Sequence, residues 1–144
     1  MAEETNTGLA PGHVLSRKKA EEEVNKWLDA KRVSTSRRED YKPHIEAITG
    51  CLERGELRLG TGNVFTHTLL FPVGEGAAAI TELNYKPRVT VATIQHHMQG
   101  VKSGDGSARI GATIAALTGQ PRAIIEKLDT EDYGIANYIV IFFL

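Results

Sequence analysis

The sequence predicts an α+β fold that is mainly helical, with a small antiparallel β-hairpin sheet in the middle of the chain. Apolar residues recur at helical spacing before residue 55 and again after residue 90. Between these regions, short alternating runs are separated by turns that contain glycine or proline. No strand–helix–strand unit of the kind that builds a parallel sheet is visible.

Composition limits the class of protein. The 144 residues are 41% hydrophobic and 24% charged, which is enough for one domain with a modest core or for two small modules. A formal net charge of −1 gives no overall attraction to nucleic acid or anionic membranes. The single cysteine excludes an intramolecular disulfide framework. Because no apolar run approaches the ~20 residues of a membrane span, and no signal-peptide pattern is present, we expect a cytoplasmic protein.

Charged residues are concentrated in the first part of the chain and apolar residues in the second. We therefore predict a flexible N-terminal tail over 1–12, a charged helical hairpin module over 13–55, and a β-hairpin plus helical domain over 56–144. The helical module either packs against the central sheet or stands apart from it, and the sequence leaves both arrangements open.

The first predicted helix runs from a Ser16 N-cap to about Lys31. A break follows at 33–36. The apolar face of this helix, at helical spacing, consists of Ala20, Val24, Trp27 and Leu28.

A second helix is predicted to end before Gly55, a residue suited to the left-handed conformation that terminates helices. Pro43 constrains where this helix starts, because its missing N–H is harmless only in the first turn. An N-cap at Asp40 satisfies that constraint. The rival N-cap at Ser36 would place the proline deep enough to kink the helix, so we predict a start at Asp40.

Three strands are predicted in the middle of the chain. Residues 56–59 and 64–71 form a hairpin around a turn at 60–63, Pro72 ends the second strand, and 80–85 is a weaker third strand. The segment 74–79 imitates a dinucleotide-binding fingerprint, but Pro72 interrupts the junction and no strand with an acidic end follows at the required distance. We interpret this segment as a hairpin loop and predict no cofactor.

Four helices are predicted after residue 87. Their starts are Thr90, Ser107, Pro121 and Asp129. Gly119 ends the second of these helices, and a loop over 100–106 separates it from the first. The last seven residues of the chain carry no charge and have high β propensity, which is an aggregation hazard when exposed. Either this segment docks into the domain's own core, or another chain, including a second copy of this one, covers it.

No residues have the spacing of a catalytic or metal site. His96 and His97 are adjacent on a helix and point about 100° apart, so they do not converge on one ion. Cys51 lies near an apolar stripe and is interpreted as a buried structural cysteine. The basic clusters at 17–19, 31–32 and 37–38 are interleaved with acidic residues, which favours an ion-paired helical face. We predict no enzyme and no metal, with a nucleic-acid-binding regulator as an alternative role for these helices.

One ordered set of motifs covers residues 70–144. A Phe-Pro strand end and the strand at 80–85 precede Leu117-Thr-Gly119, then a short helix, and then Leu128-Asp-x-x-Asp132 at the start of the terminal helix. This order resembles the tail assembly chaperones of Mu-like and related tailed bacteriophages. The resemblance covers just over half of the chain, and the charged residues 13–68 have no counterpart in the shortest members of that family.

The resemblance implies a non-catalytic viral protein that acts in the host cytoplasm and is absent from the mature virion. Such a protein binds the tape-measure protein, keeps it soluble and helps to recruit tail-tube subunits. The alternative is a structural virion protein, a minor tail or head–tail component that is retained in the particle. The residues that the resemblance assigns to partner binding are Leu117, Ile124, Leu128, Ile135, Ile139, Phe142 and Phe143.

Overall fold

A computed structural model describes residues 9–100 and 106–144 and confirms the predicted α+β class, with a mainly helical chain around a small central sheet. The helices are α1 (Arg17–Lys31), α2 (Thr35–Asp40), α3 (Lys42–Arg54), α4 (Val91–His97), α5 (Gly106–Thr118), α6 (Arg122–Ile125) and α7 (Thr130–Val140). The strands β1 (Leu57–Gly60), β2 (Val64–Val73) and β3 (Ile80–Tyr85) form one antiparallel sheet in the order β1-β2-β3. Among the described helices, none combines the length and hydropathy needed to cross a lipid bilayer.

Helix α1 begins and ends where the sequence predicts. The Ser16 Oγ accepts a hydrogen bond from the N–H of Lys19 at 3.1 Å, which satisfies one of the free donors of the first turn. After Lys31, the backbone of Arg32 adopts a left-handed conformation with φ of 61°, and the helix stops. All four residues of its predicted apolar face are buried.

The predicted break at 33–36 is present but shorter, because an additional short helix already starts at Thr35. The Ser34 Oγ accepts a hydrogen bond from the N–H of Arg37 at 3.2 Å and caps α2. Short polar side chains that cap helices also favour turns, so the sequence pattern alone does not distinguish the two outcomes.

The predicted N-cap of the next helix, Asp40, is wrong by one residue, because the N-cap is Tyr41. Asp40 is the last residue of α2, and Tyr41, with φ of −109° and ψ of 27°, separates α2 from α3. Pro43 explains the interruption because it has no N–H to continue a helical ladder. It lies in the first turn of α3 as predicted, and Gly55 ends that helix with φ of 83°.

The sheet is buried on one face only. Leu57 lies opposite His67, and Phe65 lies opposite Tyr85, so alternate side chains of all three strands point toward the helices. The other face is polar and exposed. There the Thr66 hydroxyl donates to the Asn84 side-chain oxygen at 2.8 Å.

Pro72 does not end β2, contrary to the prediction. The strand continues to Val73, which pairs with Ile80 after an irregular stretch that begins beyond Thr68. A proline is tolerated there because its missing N–H falls where the ladder is already interrupted. As a consequence, the consecutive residues Leu70, Phe71 and Pro72 are all exposed.

The later helices begin within one residue of their predicted starts. Thr90 caps α4, α5 begins at Gly106 rather than Ser107, and Pro121 is the N-cap of α6 rather than its first residue. Gly119 has φ of 72° and closes α5 as predicted. Asp129 caps α7, with its Oδ2 accepting from the N–H of Glu131 at 2.9 Å. Most of the predicted loop, at 101–105, lies outside the described residues.

A single hydrophobic core joins the predicted helical module to the rest of the chain. The Trp27 ring lies 5.0 Å from the Phe65 ring of the sheet and 5.7 Å from the Phe142 ring near the C-terminus, measured between centroids. Helix α3 packs against both α1 and α7. Of the two arrangements that the sequence left open, the helices of 13–55 therefore pack on the domain formed by 56–144. Residues 1–8 of the predicted tail lie outside the described residues.

Burial predicts how stability depends on the terminal helix. Ile139 is fully buried, so Ile139→Ala should lower the free energy of unfolding by about 2–5 kcal/mol through lost burial and an unfilled cavity. Val91 is 67% exposed, and Val91→Ala should change it by less than about 0.5 kcal/mol. Urea denaturation of both variants measures the difference. Equal effects would show that α7 is not part of the core.

Candidate functional site

Five of the seven residues assigned to partner binding are buried in the chain's own core. These are Leu117, Leu128, Ile135, Ile139 and Phe142. For these five, the expectation of an exposed docking face is wrong. The apolar stripe of α7 packs against α3 and β2 of the same chain, and burial within one chain avoids the entropy cost of association. Ile124 and Phe143 are the two members that remain partly exposed.

A buried polar network joins the sheet to α7. The Nε2 of His67 lies 3.1 Å from Asp132 Oδ1, and its Nδ1 lies 2.9 Å from the hydroxyl oxygen of Tyr85. All three residues are at most 1% exposed. A charged carboxylate buried in this way is stable only when hydrogen bonds replace its lost hydration.

Two backbone donors complete that replacement. Asp132 Oδ1 accepts from the N–H of Leu70 at 2.9 Å, and Oδ2 accepts from the N–H of Phe71 at 3.0 Å. Consecutive N–H groups of a regular strand point in opposite directions, so both reach one carboxylate only because β2 is irregular at this point. The carboxylate thereby pairs donors of β2 that lie beyond the first residue of β1.

The network is fully paired when the His67 ring is neutral. Burial raises the pKa of Tyr85 well above its ordinary value, so its hydroxyl keeps the proton and donates to His67 Nδ1. The remaining ring proton then lies on Nε2 and is donated to Asp132. Burial also lowers the pKa of His67, and outweighs the opposing effect of the hydrogen bond to Asp132.

This network has a structural role, because a substrate cannot reach its side chains. An Asp–His pair resembles part of a hydrolase triad, but a triad needs a nucleophile and a cleft that substrate can enter. The side chains of His67, Asp132 and Tyr85 are at most 1% exposed to solvent. The network therefore fixes the position of α7 on the sheet.

Sequence reasoning missed this network although the signal was present. His67 lies between Phe65 and Leu69 at strand spacing, which places it on the buried face of β2. Asp132 precedes Ile135 and Ile139 at helical spacing, which places it on the buried stripe of α7. A polar residue on each of two buried faces predicts that they pair.

The irregular stretch of β2 exposes an apolar pair. Leu70 is 45% exposed and Phe71 is 54% exposed, while their backbone N–H groups are held by Asp132. Adjacent exposed apolar side chains on a fixed backbone form a surface that another apolar chain can cover.

The basic clusters of the first helices are partly neutralised, as predicted. Arg17 forms ion pairs with Glu21, Glu46 and Glu53. Arg38 pairs with Asp29 at 2.9 Å. These pairs reduce the charge available to contact nucleic acid.

The remaining candidates for chemistry lie apart from one another. Cys51 is a free, buried thiol as predicted, and burial raises its pKa to about 12, which disfavours the reactive thiolate. The rings of His96 and His97 lie 5.5 Å apart and nearly perpendicular. Within residues 9–100 and 106–144, no three His, Cys, Asp or Glu side chains are grouped closely enough to hold a metal ion.

Two aspartates at the start of α7, the N-cap Asp129 and the buried Asp132, provide a matched comparison. Asp132→Ala leaves His67 and two backbone N–H groups without an acceptor, so we expect a loss of about 3–5 kcal/mol in the free energy of unfolding. Asp129→Ala removes only a helix cap and should cost about 1 kcal/mol. Chemical denaturation measures both losses, and similar values would contradict the role assigned to the network.

The network also predicts a dependence of stability on pH. The unfolded chain binds a proton at the ordinary histidine pKa of 6.5, whereas the folded chain holds His67 neutral to lower pH. The stabilisation is therefore complete above that pH and declines as the pH falls below it. We expect a lower urea midpoint at about pH 5.5 than at about pH 7.5.

His67→Gln should reduce this difference in midpoint, while His96→Gln, at an exposed position, should leave it unchanged. An unchanged slope in His67→Gln would refute the assignment.

No protein-family model, curated protein or solved structure matches this chain.

Proposed function

We propose that this chain is a tail assembly chaperone of a tailed bacteriophage, which binds the tape-measure protein and helps to recruit tail-tube subunits. The support begins with the ordered motifs of residues 70–144. Gly119 closes α5, Leu128 is buried, and Asp129 caps α7. These three motif residues therefore have structural roles, two at helix termini and one in the core.

The observation that carries the proposal is the contact of Asp132 with the exposed end of β2. Asp132 is the last residue of the Leu-Asp-x-x-Asp motif, and its carboxylate holds the backbone of Leu70 and Phe71. The motif thus fixes a surface with two solvent-exposed apolar side chains. We infer that an apolar helix of the tape-measure protein covers this pair and is kept soluble by it, at about 25 cal/mol for each Å² removed from water.

Co-expression tests this proposal. The tape-measure protein of the same phage should be mostly soluble with this chain and mostly aggregated without it. Leu70→Ser/Phe71→Ser should reduce the soluble fraction severalfold, because it removes the apolar pair and leaves the backbone contacts to Asp132 in place.

Val14→Ser/Val91→Ser is the matched control, since both valines are exposed and lie on other parts of the chain. It should leave the soluble fraction unchanged.

Equal solubility of the tape-measure protein with and without this chain would refute the proposal. Abundant stoichiometric copies of the chain in purified virions would instead favour the structural virion protein.

A further inference from the structure

Two adjoining cavities open beyond the C-terminal end of α1. The larger is about 350 Å³ and is lined by Lys31, Lys86, Arg88, Val89, Thr90 and Phe143, among others. The smaller is about 200 Å³, shares Lys31 and Arg88 with the first, and adds Trp27 and Asn63. We call the two together the basic groove. Its volume lies in the range of sites that hold small ligands or short peptide segments.

Positive charge predominates in the basic groove. Among the residues that the structure describes, its lining includes Lys31, Lys86 and Arg88 but no acidic side chain. Within the part of the chain that the structure describes, none of these three cations forms an ion pair. This differs from Arg17, which lies among three glutamates.

Lys31 lines both cavities. Its Nζ lies 3.5 Å from the centroid of the Phe143 ring, a contact that holds the ammonium group at the wall of the groove. Burial, together with the nearby charges of Arg88 and Arg37, lowers the pKa of Lys31 to about 8. A bound anion would relieve this repulsion, so the groove favours a negatively charged ligand.

The apolar part of the lining indicates which kind of anion, because a small inorganic anion has no side chain to place there. The Phe143 ring and Val89 add apolar lining beside the cations, where an apolar side chain can pack.

We propose that the basic groove binds an acidic peptide segment of a protein partner, with its carboxylates on Lys31, Lys86 and Arg88 and an apolar side chain against Phe143. This inference goes beyond the proposed function and does not depend on it, because it is carried by another surface. Leu70 and Phe71 of β2 contact Asp132 in the first turn of α7. The groove includes Phe143, which lies beyond the other end of α7.

A peptide selection tests this inference. Random octapeptides displayed on a carrier are selected at low salt on the wild-type chain and on the variant Lys86→Gln/Arg88→Gln, whose substituted side chains are exposed. Peptides enriched on the wild type should be rich in Asp and Glu. Their affinity should be about tenfold weaker for the variant, because two charge-assisted hydrogen bonds are lost, and weaker at high salt.

The control is Lys26→Gln/Lys127→Gln, which makes the same change in net charge at exposed positions outside the groove. It should bind the selected peptides within twofold of the wild type. In a titration followed by NMR, the pKa of the Lys31 ammonium group should rise when an enriched peptide binds.

Three results would overturn the inference. The first is no enrichment of acidic peptides, or the same enrichment on wild type and groove variant. The second is binding of inorganic phosphate alone as tightly as the best selected peptide, which would mark a site for small anions. The third is tighter binding of a short oligonucleotide than of any acidic peptide, which would mark a nucleic-acid site.

Discussion

The carboxylate of Asp132 is the constraint on which the arrangement of the second half of the chain depends. A buried charge must be hydrogen-bonded, and Asp132 obtains its donors from His67 and from the backbone of Leu70 and Phe71. The start of α7 therefore has one position on the sheet, since a shift along or around the helix would leave the carboxylate unpaired. Apolar contacts alone would not define this position as sharply, because they have little directionality.

Trp27 connects the first half of the chain to the core beneath β2 and α7. Its ring contacts both Phe65 of β2 and Phe142 beyond α7, so α1 covers the same core that the Asp132 contacts align. Two helices rich in charged residues thus become part of one domain. Their charges lie on the outer face, where Arg17 and its three glutamate partners are found, and their apolar stripe faces inward.

Closing the core within one chain changes which surfaces are available to partners. The apolar end of the chain is largely used to complete the fold, and only Phe143 and its neighbours at the rim remain accessible. The exposed Leu70–Phe71 pair lies at one end of α7 and the basic groove at the other. One surface is apolar and the other cationic, so they suit partner segments of different chemistry.

Local sequence determined most of the secondary structure. The Ser16 cap, the Gly55 and Gly119 helix ends and the Asp129 cap depend only on neighbouring residues, and each has the predicted role. Alternation and helical spacing likewise gave the correct fold class. The boundary around Tyr41 and the continuation of β2 past Pro72 were missed, because each depends on how a proline's missing N–H is accommodated by the surrounding chain.

Only the tertiary structure decided which apolar residues face solvent. Ile139 and Phe143 belong to the same uncharged segment, yet one is in the core and the other lines a cavity, since their exposure depends on distant elements that pack against them. The same reason applies to His67 and Asp132, which are 65 residues apart, and to the groove cations, which come from α1 and from the segment after β3. Spacing along the chain fixes the face on which a side chain lies, but not what that face meets.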